Sequence, residues 1–78
     1  MRVKFRFYGG SAEAALDRLP TAKIMSKQPD WYEIEAEVFG KGIIMWLLSQ
    51  GERVEVLSPD WLREEMKGKL EKMVERYQ

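Results

Sequence analysis

Few side chains in this sequence are able to do chemistry. It contains no histidine and no cysteine, and its hydroxyls apart from tyrosine are Ser11, Thr21, Ser26, Ser49 and Ser58. Without histidine the commonest general base near neutral pH is missing. Without cysteine there is no thiolate nucleophile, no disulfide and no thiolate metal site. Ser11 and Ser58 stand just before helical patterns and read as N-caps, and none of the hydroxyls has a base near it in sequence. The residues therefore predict a protein that is not an enzyme and carries no cofactor.

Three further arrangements bear on binding. Glu33, Glu35 and Glu37 recur at every second position, which on a strand gives one face three carboxylates, a donor set for a hard cation. Arg2, Lys4 and Arg6 share that spacing, so a ladder of cross-strand ion pairs with no metal is the simpler reading. Gly9-Gly10-Ser11 is a turn before a helix, whose N–H groups suit an anion. It matches neither phosphate-binding glycine pattern, so a turn and cap explains it, with anion or metabolite sensing as the runner-up role. Tyr8, Trp31 and Phe39 would stack bases if a sheet here bound single-stranded nucleic acid. Against that, thirteen basic and thirteen acidic residues cancel, leaving no field to gather phosphates.

The elements that must position these residues follow from periodicity. Val3, Phe5 and Phe7 alternate with the three cations as a half-buried strand, ended by the glycine pair. Ala12, Ala15, Leu16 and Leu19 are spaced as a helix that stops at Pro20. Ala22 to Gln28 reads as a strand turned by Pro29-Asp30 into a second, in which Tyr32, Ile34, Ala36 and Val38 oppose the glutamates. Gly40 to Gln50 predicts a helix stopped by Gly51, with Ile43, Trp46 and Leu47 on one face. Val54 and Val56 make a last strand, and Pro59 starts a helix to about Tyr77 along Leu62, Met66, Leu70, Met73 and Tyr77.

At 78 residues this is one small domain, which buries only about 60% of the surface its unfolded chain exposes. The order β-α-β-β-α-β with an additional C-terminal helix predicts an α+β, ferredoxin-like split βαβ fold. Its first and third strands would be central antiparallel neighbours, which sets the cations of one beside the glutamates of the other. The second helix is the misfit, because Ile44, Met45 and Leu48 leave it scarcely any polar side. A two-layer domain covers such a helix badly, so either the third helix wraps over it or it contacts another chain or domain, for which Ile44, Trp46, Leu48, Trp61 and Met66 are the expected contact residues. The longest apolar run, Gly42 to Leu48, is too short to span a bilayer. RVKFRF follows Met1 with no signal-peptide pattern, so a cytoplasmic site and no membrane partner are expected.

WLLSQGERVEVLSPDWLREEM, Trp46 to Met66, resembles the C-terminal extension of bacterial WYL-domain transcriptional regulators, the WCX domain. Trp46, Leu47, Leu48, Gly51, Val54, Val56, Leu57, Pro59, Leu62 and Tyr77 carry the likeness, and VKFRF and YEIEAEV look like the family's earlier strands. Where many relatives have a polar or acidic cap, this chain has Gly40-Lys41-Gly42. The resemblance implies that residues 1–78 are one ferredoxin-like domain, the C-terminal piece of a longer regulator. It also implies a part in dimerisation or docking to a WYL domain and in the response to an effector. DNA would be touched only by a helix-turn-helix domain that this sequence lacks.

Overall fold

Alternation, turn residues and helical stripes become one four-stranded sheet with helices against it. The computed structural model describes residues 1–9 and 13–78. Their elements are β1 (Arg2–Tyr8), α1 (Glu13–Arg18), β2 (Lys23–Lys27), β3 (Trp31–Glu37), α2 (Gly42–Ser49), β4 (Val54–Ser58) and α3 (Asp60–Arg76), with a 3-10 turn at Gly51–Arg53. The strands run β2-β3-β1-β4, each pair antiparallel. This is the expected ferredoxin-like split βαβ arrangement with an added C-terminal helix.

Side chains of both central strands fill the interior. Val3, Phe5 and Phe7 of β1 meet Ile34 and Ala36 of β3 and Val56 of β4, under Ala15 and Leu19 and the α2 residues Ile43, Ile44 and Leu47. Trp46 lies edge-on to Phe5, with ring centroids 5.8 Å apart and planes at 66°. Such a pair contributes about 0.5–1.5 kcal/mol beyond its buried area. Helix α2 therefore is covered on most of its circumference, with Met45 as its outward apolar residue.

Turn chemistry sets the strand ends. Gly51 takes φ +62°, the left-handed conformation that ends a helix at little steric cost, and so stops α2 as its sequence predicts. Gln28 N–H donates to the Trp31 carbonyl at 2.8 Å and closes the β2–β3 hairpin. A register shift between Ile24 and Ser26 bulges β2. Thr21, just before β2, donates its hydroxyl to the Glu37 carbonyl at 2.6 Å and accepts the Glu37 N–H at 2.9 Å.

One expected boundary moves. Ser58 does not cap α3: it is the last residue of β4, paired with Lys4 across a register shift that leaves Leu57 of β4 unpaired. Pro59 takes the cap position instead, with extended φ −72° and ψ 163°. Its carbonyl accepts the Leu62 and Arg63 N–H groups, both at 3.1 Å. Lacking an N–H, proline cannot extend the strand ladder, and it suits the helix start.

Helix α3 then runs past the domain. Leu62 and Met66 enter the core, whereas every residue from Lys67 to Gln78 is exposed. The reason is length: a 17-residue helix extends about 25 Å at 1.5 Å per residue, whereas the five-residue β4 extends about 17 Å.

The anchor and the overrun predict different sensitivities to truncation. Leu62→Ala should lower unfolding free energy by about 2–5 kcal/mol in urea titrations, the usual loss for a fully buried leucine. Met73→Ala, beyond the anchor, should change it by no more than about 0.5 kcal/mol.

Candidate functional site

The open face of the sheet carries the charge ladder in the expected register. Arg2 stands opposite Glu37, Lys4 opposite Glu35 and Arg6 opposite Glu33. The ion pairs do not all follow the register. Arg2 Nε reaches Glu35 at 3.0 Å and Glu37 at 3.6 Å, so it pairs diagonally as well as across. Arg6 turns toward β4 instead, to Glu55 at 4.0 Å, and its guanidinium lies 4.3 Å from the centre of the Trp31 ring. Stacked on an aromatic face and sharing Glu55 with Arg63, Arg6 gains more than one exposed carboxylate would give it.

Two of the three aromatic side chains named for base stacking are engaged. The Tyr8 hydroxyl donates to Glu55 Oε1 at 2.6 Å, and Trp31 is under Arg6. Phe39 lies beyond β3 and is 90% exposed. No three histidine, cysteine, aspartate or glutamate side chains among the described residues are grouped to hold a metal ion. At the glycine turn, Gly9 has φ +67° and its N–H donates to the Asp30 carbonyl at 3.2 Å, leaving it no donor for an anion. Gly10 and Ser11, the rest of that expected binding turn, lie outside the described residues.

The five expected contact residues divide between core and surface. Ile44 and Met66 are buried, because α2 turns Ile44 inward and the first two turns of α3 drop Met66 beside Leu62. They offer no surface while the fold is intact. Trp46 and Leu48 are half-buried against the core, and Trp61 is 46% exposed. Beside Trp46 a groove of about 410 Å³ opens between α2 and the end of β3, lined by Leu19, Pro20, Val38, Phe39 and Ile43.

Residues absent from that expectation hold more open apolar surface. Met45 and Phe39 project near the groove, while Leu70, Met73, Val74 and Tyr77 line the overrunning part of α3. The signal for the α3 group was in the sequence, since a stripe longer than the strand beneath it must continue past the core. Trp61 and Leu70 are nine residues apart, two and a half helical turns, so they occupy opposite sides of α3.

A four-stranded β2-β3-β1-β4 sheet with its largest uncovered apolar residues on or beside the helices is the form of a small α+β, ferredoxin-like domain. The WCX domain model matches residues 1–74, nearly the whole chain, and the protein belongs to that family. WCX domains occur as C-terminal extensions of WYL-domain regulators. No curated protein and no solved structure matches the chain. Among the described residues no helix is long and apolar enough to cross a membrane.

Coupling energies should follow the contacts in preference to the strand register. A double-mutant cycle of Arg6 with Trp31 should give about 0.5–1 kcal/mol. The same cycle for Arg6 with Glu33, its register partner on β3, should be indistinguishable from zero. A larger Arg6–Glu33 coupling would mean that the cation prefers the ladder in solution.

Proposed function

We propose that this chain is a regulatory module of a WYL-type transcriptional regulator, acting through contact with a second subunit or with a WYL domain. The observation that carries the reading is Trp61, a large apolar side chain left 46% exposed on α3 of a WCX domain. Buried aromatic anchors supply a disproportionate share of contact energy between proteins. Trp46 and Leu48 offer α2's contribution, and Ile44 and Met66 support the contact from inside the core.

The mechanism is mechanical. An effector acts only through its different affinities for two arrangements of the regulator, and repacking at α2 and α3 would be how this domain distinguishes them. Coupling from α2 to the sheet is direct, because Trp46 packs on Phe5. A partner pressing on Trp46 would press on the central strand.

Sedimentation equilibrium of the chain, alone and mixed with a WYL domain, tests this. Trp61→Ala should weaken whichever association is seen by at least about tenfold, or 1.4 kcal/mol, with an unchanged melting temperature. Trp46→Ala should weaken it too, at some loss of stability because Phe5 loses its partner. Unchanged association and docking in both variants would refute the assignment.

A further inference from the structure

The overrun of α3 is a second apolar surface, on the opposite side of the helix from Trp61, so it stands or falls apart from the contact proposed above. Leu70, Met73 and Val74 are each about half exposed and Tyr77 is 90% exposed. With Met66 they follow the 4-3-4 spacing of Met66, Leu70, Met73 and Tyr77, which keeps one seam along a helix. The shape such a seam fits best is another helix with the same repeat.

Charge selects the kind of helix. Lys67 borders the seam on one side and Lys69 and Arg76 border it on the other, while Glu71 is the α3 carboxylate nearest its margin and Glu55 of β4, already paired with Arg6 and Arg63, shares a groove with Leu70 at its start. None of Lys67, Lys69 and Arg76 has an ion-pair partner among the described residues. Glu64 and Glu75 lie further round, toward the far side of the helix, and Glu65 is half-buried where α3 meets the domain, before the seam's exposed part begins. A second copy of the chain is a poor occupant, since antiparallel pairing about Met73 would put Lys69 beside the other copy's Arg76. Nucleic acid is also poorly served, because four glutamates share this helix with the cations and the chain has no net charge.

Helix stability points the same way. Lys67 to Arg76 is a ten-residue extension with no core beneath it, and isolated helices shorter than about 12–15 residues are marginal in water. Gly68 stands at its start, where any other residue except proline would favour the helix more. A partner's apolar face would supply the packing that this domain does not.

We infer that the Leu70–Met73–Val74–Tyr77 seam of α3 docks an amphipathic helix of a protein partner whose apolar stripe is flanked by aspartate or glutamate. The test uses the whole chain and two synthetic three-heptad peptides with the same leucine seam, one flanked by glutamate and the other by lysine. Amide shifts of residues 67–78 are followed by NMR.

The glutamate-flanked peptide should shift these amides saturably, bind at least tenfold tighter than the lysine-flanked one, and weaken as salt is added. Lys69→Glu with Arg76→Glu should reverse the preference. Leu70→Gln with Met73→Gln should abolish binding without lowering the melting temperature, since both positions are outside the core. Equal binding of the two peptides, or no shift from either, overturns the inference. Seam shifts that depend on protein concentration alone would make a second copy the occupant, and shifts with oligothymidylate but neither peptide would make it nucleic acid; either result also overturns it. Trp61→Ala should leave peptide binding intact, so failure here and failure of the Trp61 contact are separate results.

Discussion

The register of β1 against β3 is the constraint on which the rest of the structure depends. Phe5 stands opposite Ile34, and neither side chain has any exposed surface. Because side chains alternate, a slip of one residue would send Val3, Phe5 and Phe7 to solvent and drive Arg2, Lys4 and Arg6 into an interior with no buried polar residue among those described. That penalty sets the face on which α1 and α2 lie. It also sets the face that carries the charges and places β4 where α3 can begin.

Most of this was legible from period alone. Alternating residues announced β1 and β3, Gly51 announced the end of α2, and the order of elements announced the topology. The facts that escaped are those that depend on neighbours distant in sequence. Arg6 contacts Trp31 and its β4 register partner Glu55 in place of its β3 register partner Glu33, because two strands on either side of β1 compete for it, and spacing within a strand does not reveal such competition. Ser58 reads as a cap, but a register shift at Leu57 of β4 keeps that strand paired with Lys4 through Ser58.

The placement of the expected contact residues was legible in part. Apolar character along α2 was plain, but composition does not tell which side of an apolar helix is inward. Ile43, Ile44 and Leu47 fill the core and Met45 does not, a division decided by the sheet beneath them. The α3 residues were read as one continuous stripe, although only its first half meets the core. Comparing the length of a helix with that of the strand beneath it would have separated the two halves. The outcome is a WCX domain whose last helix carries apolar side chains on opposite sides, Trp61 on one and the Leu70 seam on the other.

Thr21 has a consequence for what this sheet resists. Arg2 and Glu37 sit between paired rungs, since Met1 and Val38 exchange the neighbouring bonds, so the Glu37 backbone points away from β1. Its N–H and carbonyl would be open to any passing extended chain at the place where β2 has not yet begun. One threonine oxygen closes both. Next to it, β2 is only five residues long, is kinked by its bulge and has a lysine at each end, all features that discourage strand-to-strand aggregation. Recruitment of a partner through sheet extension is thereby disfavoured on this side, and recognition is left to side chains on helices.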